Sequence, residues 1–372
     1  AGLLANNPPP TATPAAPPDR GWIYHVGGSG TSRDVYRVAP TGGGRSLVPG
    51  APADYGADLT PPGDGAIGVP SHLSHGGSRW YLAYRWTSTD AVFPNADHSV
   101  SLEVDAVREG DAVGLTLTTN RASCIYVWGS QPAWVSSASG SPDAAITWLG
   151  AQWADQDSDP NTCETLVGGG IFRADLTYDG TGAVSGITTP TLAVPVPMNA
   201  ANTAPDVSFF SWSPDATQMA YVRDSNGDLY RAAAGSPVSS HVVLSAGSYR
   251  NVDWSPDQAP LTAGFQTTIA FSGTSSGTKS SYGIWGIKPD GTGTVLLAKP
   301  ASSRTVSYGV QTPFWSPTGS HLAYEEHQTQ IGAPAYSHTI RRMAKDGSGN
   351  TVIATESSSQ PLRLVLEWTA SD

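Results

Sequence analysis

Three stretches of the chain repeat one order of pieces, and no other feature limits the possible folds as much. Residues 211–232 read "SWSPDATQMAYVRDSNGDLYRA", and residues 252–298 and 313–354 run the same way: Trp-Ser-Pro, an apolar run, a polar loop, a second run, then Asp-Gly and a third run. Trp212, Trp254 and Trp315 head the copies, 42 and 61 residues apart, and the wider spacing comes from longer loops in the middle copy. A period of about forty residues holding about four short strands is the sequence mark of a propeller blade.

Each piece has the chemistry of a strand or a turn. Pro214, Pro256 and Pro317 pre-set φ for the second position of a tight turn, with Ser before and Asp or Thr after to bond the local backbone. "QMAYV", "TTIAF" and "HLAYE" then place β-branched and aromatic residues at near-alternate positions, as half-buried strands do. "KPDGTG" and "AKDGSG" supply the Asp-Gly pair that tolerates positive φ in a hairpin. No segment shows a competing helical period.

Weaker copies precede these three. Residues 131–153 with 168–188, and 68–86 with 98–118, carry the same strands and an Asp-Gly or Glu-Gly-Asp turn. The N-terminal residues 21–50 hold three strands of a further copy, and residues 361–369 hold one, "LRLVLEW" within it placing Trp368 where the other copies have theirs. Sharing one sheet between the termini closes a ring without leaving bare strand edges. The expected fold is therefore all-β: a six-bladed β-propeller of four-stranded blades, the closing blade shared by the N- and C-termini. The domain reading is a proline-rich arm over 1–19 and one propeller over 20–372.

The repeat resembles that of the TolB-like propeller family, which runs Trp-Ser-Pro-Asp-Gly, an "IAF"-like strand, an "IY"-like strand and an Asp-Gly-Ser or Asp-Gly-Thr hairpin. The resemblance is sharp over 205–372 and looser over 21–200. The turn glycine is replaced by Ala216 and Gln258, and the second and third blades lack Trp-Ser-Pro. The family fold implied by this resemblance serves transport accessories, peptidase-associated domains, lyases and interaction modules, so it does not by itself name a function.

Composition suits many short strands joined by tight turns: 41 Gly, 30 Pro and 14% charged residues. A net charge of −11 leaves no basic stripe, which argues against nucleic acid as a partner. No apolar run approaches the length of a membrane-spanning helix. Cys124 and Cys163 both fall around the third blade of a Ser-, Thr- and Gly-rich chain, the pattern of a disulfide in an extracellular or cell-surface protein; two buried free thiols are the alternative. A first residue of Ala1 is read as a processed mature chain.

The search for chemistry yields no catalytic, metal or cofactor set. "GTSSG" places Ser275 in a Gly-x-Ser-x-Gly pattern, but a nucleophile elbow requires a strand, a sharp turn and a helix, and this match lies between two strands. His72 and His75 stand three apart in a segment read as extended, where their rings need not converge. Asp224, Asn226 and Asp228 alternate as at the start of a calcium loop but lack the downstream Glu, and "ADQDSDPN" (154–161) is similar; both are read first as structural turns. Trp134, Trp212, Trp254, Trp315 and Trp368 are read as wedges between blades. Trp86, Phe93 and Trp153 are assigned to long loops joining second and third strands, on the face where the family resemblance implies a ligand or partner.

Residues 1–19 differ from all that follows. Pro8, Pro9, Pro10, Pro14, Pro17 and Pro18 favour an extended, polyproline-like spacer, and Leu3 and Leu4 offer a short apolar anchor. Such a segment buries too little surface to offset an ordering cost of about 1 kcal/mol or more per residue, so it orders only against its own propeller or a neighbouring subunit. The leading functional expectation is a secreted, non-catalytic interaction module, a homo-oligomer or filament joined by this arm. The alternative is a polysaccharide-binding protein, or a lyase or hydrolase acting on glycan at the long-loop face, with His72 and His75 as candidates.

Overall fold

The computed structural model turns the repeats into antiparallel sheets, and it describes residues 21–27, 34–47, 71–75, 78–88, 100–108, 115–118, 125–127, 133–135, 145–154, 165–178, 184–202, 205–256, 269–275, 282–300, 306–330, 336–358 and 365–368. The strands are β1 (Ile23–Gly27), β2 (Asp34–Val38), β3 (Ser46–Leu47), β4 (Ser71–His75), β5 (Ser78–Ser88), β6 (Val100–Arg108) and β7 (Leu115–Thr118). Next come β8 (Ile125–Val127), β9 (Ala133–Val135), β10 (Ala145–Ala154), β11 (Thr165–Tyr178), β12 (Val184–Ile187) and β13 (Thr191–Pro195). The three sharp repeats give β14 (Val207–Trp212), β15 (Gln218–Arg223), β16 (Leu229–Ala233) and β17 (Val242–Ser245); β18 (Gly247–Trp254), β19 (Ile269–Ser275), β20 (Tyr282–Ile287) and β21 (Val295–Ala298); and β22 (Val306–Trp315), β23 (His321–Gln330), β24 (Tyr336–Ala344) and β25 (Thr351–Ser358). Last is β26 (Val365–Trp368). No helix among the described residues is long and apolar enough to cross a membrane.

The chain is an all-β propeller with four-stranded antiparallel blades. Five sheets have four strands each, four of them simple meanders and the fifth ordered β26-β1-β2-β3. In that fifth sheet the C-terminal strand pairs with the N-terminal one, Ile23 opposite Trp368 and Tyr24 opposite Glu367. The remaining sheet has six strands rather than the expected four. Its β8 and β9 lie one after the other along β10, opposite residues 150–152 and 145–147, and β12 and β13 likewise follow one another along β11. At the outer position the two strands are separated by residues 188–190, which are not in strand.

The first strands β26, β4, β9, β14, β18 and β22 touch in cyclic order, β22 meeting β26 to close the circuit. A repeated Trp holds an equivalent register position on five of these strands: Trp134 stands opposite Ile146, Trp212 opposite Met219, Trp254 opposite Ile269, Trp315 opposite Leu322, and Trp368 opposite Ile23. Trp212, Trp254, Trp315 and Trp368 are buried, and each belongs to an apolar cluster drawn from two successive sheets. Trp212, for example, packs among Leu149, Ile171 and Val194 of the preceding sheet, and its Nε1 donates to Thr147 Oγ1 at 2.9 Å. Burying a large indole at four of these junctions helps hold together sheets that share no hydrogen-bonded strands.

Polar latches repeat beside these wedges. On the third strands, Arg231 donates through Nη1 to the Pro289 carbonyl of the next sheet at 2.7 Å, and Arg342 to the Pro40 carbonyl at 3.1 Å. The hairpin between third and fourth strands also rests on the outer strand of the preceding sheet. Gly347, at φ +83°, shows why glycine is required there: a Cβ would come within 2.6 Å of the Leu297 carbonyl oxygen.

The Trp-Ser-Pro turn is built as its sequence implies. Ser213 Oγ donates to Asp215 Oδ1 at 2.6 Å and accepts from the Gln218 amide at 3.0 Å, and the Ala216 amide donates to the Ser213 carbonyl at 2.8 Å. The Ser213 hydrogen bond, ahead of opposing desolvation, holds the Asp215 carboxyl below its ordinary pKa. Ala216 occupies the left-handed region at φ +55°, where the equivalent turn after Trp315 has Gly319 at +68°. An alanine pays about 1 kcal/mol for that conformation. Ala216→Gly is therefore expected to raise stability by up to about 1 kcal/mol, read as a higher urea midpoint at unchanged slope; an unchanged or lower midpoint contradicts it.

Candidate functional site

Two polar nodes stand out, one between neighbouring first strands and one within a single sheet. The first is centred on Asp253, one residue before Trp254. Ser211 Oγ, from the preceding sheet, donates to Asp253 Oδ1 at 3.1 Å, and the Trp315 amide, from the following sheet, donates to Oδ2 at 2.7 Å. Ser211 Oγ in turn accepts from the Trp254 amide at 2.9 Å, and Trp315 Nε1 donates to the Asp253 carbonyl at 3.3 Å. One side chain thus ties three sheets together.

Enclosure by protein pushes the Asp253 carboxyl up to about 7, against the lowering pull of the Trp315 amide, Ser211 and the Trp254 amide. The folded protein then binds a proton at Asp253 between about pH 4 and pH 7 that the unfolded chain has released. Stability from this group is present below pH 4 and is lost as pH rises to 7. Asp253→Asn, which keeps an acceptor for the Trp315 amide and cannot ionise, should flatten that part of the profile. Against Asp253→Asn, wild type is expected to lose up to a few kcal/mol between pH 4 and pH 7 in urea titrations; parallel profiles for the two proteins rule the assignment out.

The second node lies in the sheet β22–β25. Glu325 and His338 are both fully buried, with His338 Nδ1 and Glu325 Oε1 2.9 Å apart, and Thr312 Oγ1 donates to Glu325 Oε2 at 3.4 Å. Thr312 sits in an irregularity of β22 at φ +51°, and Asn251 holds the corresponding place in β18 at φ +47°, donating through Nδ2 to Ser272 Oγ at 3.3 Å. His327 stands opposite His338 across the strand pair, its ring centroid 6.3 Å away, and burial lowers its pKa. Tyr282 from the neighbouring sheet feels the Glu325 charge, and burial raises its phenol pKa. On the opposite face of β23, Glu326 pairs with Arg341. The node resembles an acid-oriented histidine, but both members are enclosed by protein, so its evident role is to hold β22, β23 and β24 in register.

The acidic turn singled out in the sequence is committed to packing. Asp224 Oδ2 accepts from Ser208 Oγ at 2.7 Å, Asn226 Oδ1 accepts from the Asp228 amide at 3.0 Å, and Asp228 Oδ1 accepts from the Gly247 amide of the next sheet at 2.9 Å. Beside it the buried Asp206 accepts from Arg223 Nε at 2.6 Å and from the Ser225 amide at 2.8 Å. Among the described residues, no three His, Cys, Asp or Glu side chains gather as a metal site would require.

The other sequence candidates are placed by their backbones. Trp86 and Trp153, read as loop residues, are in strands: β5 continues to Ser88 with Trp86 opposite Leu102, and β10 continues to Ala154 with Trp153 opposite Leu166 at a register shift. The runs "WYLAYRWTS" and "AITWLGAQWA" keep strand character beyond the expected ends, which corrects that assignment. His72 and His75 occupy β4 opposite Tyr81 and Ser78, positions of opposite parity on one strand. Ser275 is the last residue of β19, opposite Gly247. Phe93, Cys124, Cys163, residues 155–161 and the arm residues Leu3, Leu4, Pro8, Pro9 and Pro10 lie outside the described residues.

Asp253, Glu325, His327, His338 and Tyr282 were not among the sequence candidates. Their signal is a break in the repeat: "HLAYEE" is acidic where "QMAYV" is apolar, and Asp253 precedes its Trp where Ser211 and Phe314 precede theirs.

The fold and these nodes define the class, a β-propeller protein. No protein-family model matches the sequence, and no curated protein does. Among solved structures, the chain is similar to the periplasmic gluconolactonase PpgL of Pseudomonas aeruginosa at 13% identity and a TM-score of 0.41, covering 94% of this chain and 98% of that one. It is also similar to a chain of a nidogen–laminin complex at 11% identity and a TM-score of 0.34, covering 73% of this chain and 94% of that one.

Proposed function

We propose that the chain is a six-bladed, TolB-like propeller, the interrupted six-stranded sheet being its sixth blade. It acts outside the cell or at its surface as an interaction module that assembles with copies of itself through residues 1–19. The observation that carries this reading is the separation of its surfaces. The buried carboxylates Asp206 and Glu325 and the half-buried Asp253 accept hydrogen bonds from neighbouring strands, whereas most of the exposed large apolar side chains, Leu47, Leu192, Val242, Val243 and Val352, stand on outermost strands, with Val167 on β11 an exception. Polar chemistry is spent within and between blades, and apolar surface is offered at the rim. A disulfide between Cys124 and Cys163 belongs to the same reading.

Light scattering over a concentration series tests the assembly. The full chain is expected to gain mass with concentration, and a chain lacking residues 1–19 to stay monomeric. A full chain that remains monomeric at every concentration overturns the proposal, as does cleavage of a polysaccharide with released oligosaccharide products. Peptide mapping of the unreduced protein should recover the Cys124–Cys163 pair; two alkylated thiols contradict the extracellular assignment.

A further inference from the structure

A sheet edge presents unpaired N–H and C=O groups and is usually blunted by charge, proline or a covering segment. The outer strand β17 departs from this along Val242 and Val243, while at Leu244 the Gly291 hairpin of the next sheet lies against it. The strand reads Val-Val-Leu-Ser, with Val242 and Val243 47% and 49% exposed, and Val238 in the preceding 3-10 turn (Val238–Ser240) is exposed as well. Leu47 on β3, Leu192 on β13 and Val352 on β25 each add one exposed apolar side chain to the rim, whereas β17 and the turn before it bring three together. In a chain of net charge −11, no Asp, Glu, Lys or Arg occurs between Arg231 and Arg250, and burial lowers the pKa of His241, the one titratable imidazole on this edge.

The edge is also held firmly. His241 Nδ1 and Tyr221 Oη are 2.8 Å apart, the Gly235 amide donates to the Ala193 carbonyl of the preceding sheet at 2.8 Å, and Leu244 is buried with the Gly291 hairpin of the next sheet lying against it. A fixed, uncharged, valine-lined edge is a ready template for an added extended segment.

The chain contains a segment with matching properties. Residues 1–18 carry no charged side chain and bear Leu3 and Leu4 near one end, separated from β1 by a proline-rich spacer that spans roughly 60 Å when extended. The spacer leaves from the closing sheet. Following the circuit of first strands from β26 through β4 and β9, β14 is the third sheet on, on the opposite side of a six-membered ring. Donor and acceptor therefore face away from each other on one molecule, which favours a head-to-tail contact that propagates over a closed dimer.

We propose that the exposed Val242–Val243 stretch of β17, with Val238, is the acceptor on which residues 1–5 of a second copy dock through Leu3 and Leu4. This rests on the arm acting between molecules. The test places a photo-crosslinking benzoylphenylalanine at position 3 of the full chain and mixes it with an equal amount of full chain labelled with heavy nitrogen. A light–heavy crosslink mapping to residues 236–245 is expected. The doubly substituted Val242→Lys/Val243→Lys chain, checked for an unchanged strand spectrum, should weaken self-association at least about tenfold, equivalent to about 1.4 kcal/mol. A light–heavy crosslink elsewhere on the propeller overturns this acceptor while leaving arm-mediated assembly standing. Crosslinks confined to single chains, in a protein of monomeric mass, overturn both.

Discussion

A chain ending at residue 360 is expected to lose cooperative folding, or to melt at least about 10 °C below the full chain when followed by far-ultraviolet circular dichroism. The truncation removes β26, and with it the hydrogen-bonded neighbour of Ile23, Tyr24 and His25. It also removes Trp368, which is buried with Ile23 and Val38 of the closing sheet against Ala323, Ile340 and Ile353 of the sheet before it. Emptying one such indole site costs about 3–5 kcal/mol, and the exposed edge of β1 adds unpaired backbone groups. Against a total stability of about 5–15 kcal/mol, the loss is a large fraction of what holds the ring. Trp368→Ala isolates the packing contribution and should give an intermediate midpoint. A truncated chain that melts cooperatively at the full-length midpoint would show that the ring does not need its closing strand.

What the sequence revealed and what it concealed divide along the range of the interactions. The Trp-Ser-Pro turn is legible because its bonds, Ser213 to Asp215 and to Gln218, join residues within one turn. The closing strand is legible because 365–368 repeats a first-strand pattern that the N-terminal remnant lacks. The Arg latches were open to discovery as an Arg recurring in third strands, in "LYRAA" and "TIRRMA", but their acceptors are carbonyls of the next repeat, which a single repeat cannot indicate. Asp253 is harder still, since its partners lie 42 and 62 residues away on either side. The additional strand β13 escaped the template because residues 188–190 interrupt the outer position that it shares with β12. Trp86 and Trp153 were misread because a strand's end is set by where its partner stops pairing, and β6 and β11 supply that limit from elsewhere in the chain.

Loss of one partner of the Glu325–His338 pair should destabilise the fold far more than loss of both. Both groups are fully buried, and their contact at 2.9 Å offsets the cost of taking them out of water. His338→Leu leaves the Glu325 carboxylate in that interior without its imidazole, a change that typically costs about 3–5 kcal/mol. Glu325→Leu leaves the imidazole with its Nδ1 partner removed and should cost a similar amount. The double change replaces the pair with apolar side chains, and such replacements are often neutral or stabilising. The expected cycle is two strongly destabilised single variants and a double variant recovering most of the wild-type midpoint in urea, a coupling of 2 kcal/mol or more by order of magnitude. Additive losses would show that each residue is held by separate neighbours. Recovery in the double variant would place the node among the devices that fix strand register.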